Sequence, residues 1–278
     1  MYKSFSQTLI LFVFIQIIAS MELMAQVERI EKGNLVIENI PDIPQELQER
    51  LRQYQNVRGA FLADWMPDGE RLLFRTRFGE TNQFHVISSP GGMRKQISYF
   101  DEPVSNGAYS NSKIHDGFLF RKDVGGNEYY QLYFYDNKTQ SSKQLTDGKS
   151  RNSMGLWSHG GDKFVFASTK RNQKDYDLYI HRMDDRWEDE MVFEGKGFWL
   201  PLDWSPDDKK LLIKNYVSIN ESYLFILDLE TQKLTSLKEG DEQISYGTAR
   251  WSGTGETVYF TSDYKRDCLL YTSPSPRD

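Results

Sequence analysis

The chain has 278 residues, 38% of them hydrophobic and 14% aromatic, which is enough to fold around a core rather than stay disordered. A formal net charge of -6 supplies no basic footprint for nucleic acid, so DNA and RNA are not expected partners. The single cysteine, Cys268, rules out an internal disulfide framework and a thiolate metal cluster.

At the amino terminus Lys3 precedes a nearly uncharged apolar run from Thr8 to Ala19, too short for a comfortable membrane span. The small residues that follow fit a signal peptide over residues 1–25, cleaved after Ala25. The expectation is a periplasmic or secreted protein with no membrane association beyond the export signal. No cysteine stands at the cleavage point, as a lipoprotein would need. Residues 26–57 form the next segment, with an extended stretch at Asn34 to Ile40. After Pro41 and Pro44, Leu47, Leu51 and Tyr54 at helical spacing predict one short amphipathic helix.

From residue 58 onward the chain repeats. Trp157, Trp204 and Trp251 stand 47 residues apart, and Trp65 lies 92 before Trp157, which leaves room for one further unit with Tyr109-Ser110 near the tryptophan position. A fixed period in this range marks a propeller or a solenoid. Turn formers follow each tryptophan: Met66-Pro67-Asp68-Gly69, Ser158-His159-Gly160-Gly161, Ser205-Pro206-Asp207-Asp208 and Ser252-Gly253-Thr254-Gly255. Short β-rich segments come next, at Arg71 to Thr76, Lys163 to Ser168, Lys210 to Tyr216 and Thr257 to Ser262. Third strands are expected at Gln83 to Ser88, Gln131 to Tyr135, Tyr176 to His181 and Ser222 to Asp228. Fourth strands are expected at Arg94 to Ser98, Lys143 to Thr146, Glu190 to Phe193 and Lys233 to Leu237. The fold class is therefore all-β, a β-propeller of four-stranded blades. Four blades and the start of a fifth at about Tyr246 occupy residues 58–267, and the ring is incomplete.

Residues 268–278, CLLYTSPSPRD, read like one frame of the adapter used in transposase-based sequencing libraries, and they interrupt a repeat midway. They are set aside from the fold.

Within the propeller no catalytic constellation is evident. Gly148-Lys149-Ser150 ends like a phosphate-binding loop, but Lys143 stands where the first glycine is required. The same glycine opens a stretch that begins like a nucleophile elbow, yet Asn152 occupies its last position. His85, His115, His159 and His181 fall in separate units without metal-ligand pairing, so no metal and no cofactor is expected. Asp175 and Asp177, or alternatively Asp184, Asp185, Glu188, Asp189 and Glu190, carry oxygen ligands suited to calcium, but a solvated acidic loop is the commoner use of such residues.

The Trp, Ser/Met-Pro-Asp and Leu/Ile-Tyr pattern is similar to the propeller repeats of the TolB type. More narrowly, Pro90-Gly91-Gly92-Met93-Arg94-Lys95-Gln96-Ile97-Ser98 resembles the PGG-x-x-x-Q-[LI]-[TS] run of exported bacterial peptidases of the prolyl oligopeptidase family. Asp123 to Tyr133, DVGGNEYYQLY, resembles a second run of that group. The resemblance implies an amino-terminal propeller that gates short peptides into an α/β-hydrolase domain with a Ser, His, Asp triad, a domain this chain does not contain. It also singles out Glu128, since dipeptidyl peptidases of this broad family hold a peptide ammonium group with paired glutamates. Here Asn127 precedes Glu128, so one of the two positions departs. The alternative is a non-catalytic exported propeller of the TolB type that binds protein partners.

Overall fold

The computed structural model describes residues 28–112, 114–184, 188–237, 243–265 and 270–272. The signal-peptide run with its cleavage point at Ala25, the acidic Asp185, and Cys268 with most of the tail lie outside the described residues. Contacts divide the chain into two units, Met1–Val57 and Arg58–Asp278.

In the first unit β1 (Arg29–Lys32) and β2 (Leu35–Glu38) form an antiparallel hairpin, and α1 spans Gln45–Gln55. Pro44 opens the helix, as its fixed φ and missing N–H allow. The expected extended stretch is present as β2, whereas its partner β1 was not foreseen. Its Arg-Ile-Glu-Lys composition carries almost no strand signal, and pairing comes from the backbone and from Arg29, which reaches Glu38 at 2.8 Å.

The second unit is a succession of antiparallel sheets whose strands lie in chain order. Blade one comprises β3 (Phe61–Trp65), β4 (Leu72–Thr76), β5 (Gln83–Ile87) and β6 (Lys95–Gln96). Blade two comprises β7 (Ser105–Tyr109), β8 (Gly117–Lys122), β9 (Gln131–Asp136) and β10 (Ser141–Gln144). Blade three comprises β11 (Leu156–Trp157), β12 (Lys163–Ser168), β13 (Asp177–Arg182) and β14 (Asp189–Phe193). Blade four comprises β15 (Phe198–Trp204), β16 (Lys210–Ser218), β17 (Glu221–Asp228) and β18 (Leu234–Ser236). A fifth sheet holds β19 (Tyr246–Trp251), β20 (Val258–Ser262) and β21 (Leu270–Thr272) among the described residues. These are the blades of an incomplete β-propeller.

The register shows why the tryptophan spacing is so regular. Trp65 pairs with Leu72, Trp157 with Phe164, Trp204 with Leu211 and Trp251 with Val258, and in blade two Tyr109 takes the same place against Phe118. β21 falls in the stretch set aside as a tail. Its Leu-Tyr-Thr pairs with β20 through the main chain, which requires nothing specific of the side chains.

Second strands are apolar at successive positions because both sheet faces are covered, each by a neighbouring blade. In β8, Phe118 and Phe120 join blade one in a cluster with Leu73 and Phe84, while Leu119 packs toward blade three with Phe164 and Phe166. In β12, Val165 and Ala167 turn the other way and meet Trp199, Leu211 and Ile213 of blade four. Leu212 and Leu224 in turn meet Tyr246 and Ala249 of the fifth sheet. Close approach between blades dictates one glycine: Gly107, φ 147°, sits where a Cβ would lie 2.9 Å from the Ala63 methyl and 3.0 Å from the Phe84 ring.

Candidate functional site

Each blade presents on one edge the hairpin between its second and third strands and the link into the next blade. Glu128 lies on that edge, in the hairpin between β8 and β9. Gly125 (φ 61°), Gly126 (φ 70°) and Glu128 itself (φ 60°) all adopt left-handed conformations. The buried Asp123 holds this path by accepting the Glu128 N–H at Oδ2, 2.9 Å, and Asn127 Oδ1 accepts the Tyr129 N–H at 2.9 Å. The backbone is pinned while the Glu128 side chain stands exposed.

Behind the loop lies a tie that sequence reasoning missed. Gln131, buried at the start of β9, accepts the Thr146 hydroxyl at 2.7 Å and the Gly148 N–H at 2.9 Å. It donates to the carbonyls of Tyr129 and Ser150, each at 2.8 Å. Blade one repeats the arrangement: Gln83 accepts the Ser98 hydroxyl at 2.8 Å and the Phe100 N–H at 3.0 Å, and donates to the Phe100 carbonyl at 2.9 Å. The Q-[IL]-[ST] runs Gln96-Ile97-Ser98 and Gln144-Leu145-Thr146 supply the hydroxyls. The first residue of each run donates to the carbonyl of the third, at 2.7 and 2.8 Å. The motif thus fastens a blade's third strand to the link that enters the next blade. Asp177 and Ser222 take the same role in blades three and four through Gly195 and Tyr246.

Beside the Glu128 loop two arginines and three tyrosines gather from blades two and three. Arg151, exposed on the link after β10, lies over the Tyr129 ring at 4.8 Å. Arg121, half-buried on β8, lies over the Tyr130 ring at 5.1 Å and donates to Asn106 Oδ1 at 3.0 Å and to the Asn152 carbonyl at 3.3 Å. Tyr176, at the entry to β13, feels both cations. Burial raises its phenol, and Arg151 and Arg121 act against that rise. Burial likewise lowers the Arg121 guanidinium, opposed by Tyr130 and Tyr176. No spacing rule could have found this group, because its members meet only when two blades stack.

The remaining sequence candidates have structural partners. Ser150 is fully buried, and its hydroxyl donates to Asp147 Oδ2 at 2.5 Å and accepts from Gln173, so it is not presented as a nucleophile. His85 is buried with Nδ1 3.0 Å from the Gln83 carbonyl, and His181 has Nδ1 2.7 Å from Asp189 Oδ1. The expected solvated acidic loop is corrected at two positions. Asp177 is buried in a two-point pair with Arg171 at 2.7 and 3.0 Å, and Asp189 takes Lys170 at 2.6 Å. For Asp189 burial works to raise the carboxyl, but His181 and Lys170 outweigh it and hold the carboxyl below its ordinary range. Both acids lie in ladders whose sheet faces are covered, where an unpaired charge would be costly. Among the described residues no helix is long and apolar enough to cross a membrane, which says nothing of a β-barrel.

A family model described as "Prolyl oligopeptidase, N-terminal beta-propeller domain" matches residues 97–271. No curated protein matches the chain. Among solved structures, TolB from Acinetobacter baumannii aligns at TM-score 0.56 and 18% identity, over 78% of this chain and 52% of that one. An oligogalacturonate lyase from Vibrio parahaemolyticus aligns at 0.60 and 15%, over 77% and 62%. A structure from a study of two prolyl endopeptidases aligns at 0.62 and 13%, over 90% of this chain and 44% of that one. The chain thus spans about half the length of TolB and less than half of the endopeptidase. At these identities the likenesses establish the propeller fold.

Proposed function

The chain belongs to the prolyl oligopeptidase N-terminal β-propeller family, and on that premise we propose that it is the substrate-gating portion of a secreted serine peptidase acting on short peptides. The observation that carries the reading is the family match over residues 97–271, which covers blades two to four and reaches into the fifth sheet. The chain's own serine at the nearest thing to an elbow, Ser150, is buried and donates to Asp147, which fits a reading in which the nucleophile is another residue. In this role the propeller admits extended peptides and excludes folded proteins, and Glu128 on its pinned loop holds a peptide ammonium group through a charge-assisted hydrogen bond. Acyl transfer to a serine and hydrolysis of the acyl-enzyme then take place on the partner domain. The protein works in the periplasm or outside the cell, with residues 1–25 removed on export.

Sequencing the gene past codon 267 tests the reading. An α/β pattern containing G-x-S-x-G is expected to follow the last blade. The longer product should label with a fluorophosphonate probe, whereas the 278-residue chain should not. A gene that ends soon after the last blade would instead favour the second reading, an exported TolB-type propeller that binds proteins without cleaving them. Amino-terminal sequencing of exported material should begin at Gln26.

A further inference from the structure

We infer that Arg121 and Arg151, framed by Tyr129, Tyr130 and Tyr176, form a subsite for a carboxylate of a short peptide. The inference rests on the proposed peptide-gating role and adds the feature of the peptide that is read.

Two cations without a carboxylate, gathered on the tyrosines beside the Glu128 loop, carry the argument. Several cations of this unit have carboxylates: Lys122 has Glu102 at 3.1 Å, Lys170 has Asp189 at 2.6 Å, and Arg171 has Asp177 at 2.7 Å and Glu194 at 3.3 Å; Arg75 and Lys214, on the second strands of blades one and four, instead donate to carbonyls at the entry to the next sheet, as Arg121 does. Among the described residues neither Arg121 nor Arg151 forms an ion pair, although both stand within range of one phenol, Tyr176. A half-buried cation satisfied only by an amide oxygen and a carbonyl keeps N–H donors and an uncompensated charge. The Arg151 guanidinium carbon lies 4.8 Å from the Tyr129 ring centroid and the residue is exposed, so its N–H donors are open to a carboxylate, which a guanidinium can bind with two parallel hydrogen bonds.

The acidic chain as a whole, at -6, repels polyanions, so a compact anion of one charge is the ligand that fits. Three tyrosine rings around the cations offer apolar surface to the residue that bears the carboxylate. Glu128 stands on the same loop, one residue before Tyr129, which places an acceptor for ammonium next to donors for carboxylate.

Equilibrium dialysis of the full chain tests the subsite, since retention of a small peptide can be read whether or not the protein self-associates. Three Nα-acetylated tetrapeptides are compared: one with a free carboxyl terminus, its amide, and an amide with glutamate as the last residue. Acetylation removes the ammonium that Glu128 would hold. Retention of the free acid should exceed that of the plain amide by about tenfold, and added salt should reduce the difference. Arg151→Gln, at an exposed position, should bring the free acid to the level of the amide with an unchanged circular dichroism spectrum, and Arg151→Lys should restore part of the loss. Retention of the glutamate amide together with the free acid would identify an acidic side chain as an additional source of the same carboxylate. Free acid alone would identify the terminal carboxylate. Equal retention of acid and plain amide, or an Arg151→Gln chain that still separates them, would overturn the inference. Selective retention by a protein whose gene encodes no hydrolase would leave the subsite standing and remove the peptidase reading. A hydrolase with no such selectivity would do the reverse.

Discussion

The indole N–H of Trp204 donates to the carbonyl of Leu156 at 2.9 Å, joining the first strand of blade four to the first strand of blade three. Trp157 makes the equivalent bond to Ala108 of blade two, also at 2.9 Å. The repeating tryptophan is therefore an interblade tie as well as a large core residue, and only 1% of Trp204 is exposed. Trp204→Ala is expected to destabilise the propeller by about 3–5 kcal/mol through the cavity left behind. Trp204→Phe should cost less but still measurably, since it leaves the Leu156 carbonyl without its donor, about 1–3 kcal/mol. Urea denaturation followed by circular dichroism reads both, and an unchanged midpoint for Trp204→Phe would show that the bond contributes nothing.

A second prediction concerns the glutamine tie. Gln131→Leu removes one acceptor and one donor group from a buried network, leaving the Gly148 N–H and the Thr146 hydroxyl without their acceptor. The expected loss is at least about 2 kcal/mol, while Gln144→Ala at an exposed position of the same motif should stay within about 0.5 kcal/mol. Equal urea midpoints for the two variants would contradict the assignment of the load to Gln131.

These ties mark the boundary of what was legible in the sequence. Strands were visible because tryptophan spacing and apolar runs recur, and even the weak second unit was located through Tyr109, which the register places against Phe118 as the tryptophans are placed in the other blades. The glutamine network was hidden because Gln83 and Gln131 share the work with Asp177 and Ser222, so no single residue type recurs in all four blades. Gln83 with Ser98 and Gln131 with Thr146, each 15 residues apart, were the one signal that could have exposed it. Glu128 was singled out by its motif, whereas the arginines beside its loop come from β8 and from the link after β10 and converge only on folding.

Acid sensitivity should begin near neutrality. His85 is fully buried against Phe74 and Phe78, and burial lowers its pKa from 6.5. The Gln83 carbonyl acts in the opposite direction, and the Arg94 charge adds to the lowering. With the folded value depressed, the unfolded chain binds the extra proton first, so stability is fully present above about 6.5 and falls as pH drops toward the folded value. Urea midpoints measured between pH 7.5 and 5, on the order of the histidine range, should decline, and His85→Gln should flatten that part of the profile. A profile that rises on acidification would mean that His85 gains a proton on folding.

Self-association is the last expectation, and it follows from the first blade. Trp157 and Trp204 are 8% and 1% exposed because a preceding blade covers each of them, whereas Trp65 at the same register position is 56% exposed, and Phe61 and Leu62 beside it are 52% and 60% exposed. Blade one thus presents the apolar first-strand surface that every later blade buries against its neighbour. A contiguous patch of this kind in water favours association, because burying it removes apolar area from solvent at about 25 cal/mol per Å². Its complement in another copy is the outward face of the fifth sheet, where Tyr259 on β20 is 44% exposed. Contact of that face with blade one of another copy is head-to-tail, and head-to-tail contacts that do not close yield open-ended assemblies. The purified chain is therefore expected to elute as a broad, concentration-dependent distribution in size-exclusion chromatography with light scattering. Leu62→Lys combined with Trp65→Glu should shift that distribution toward the monomer without loss of the β-type circular dichroism spectrum. A sharp monomer peak for the unaltered chain, independent of concentration, would show that blade one is covered in solution and that its apolar strand is not the adhesive surface.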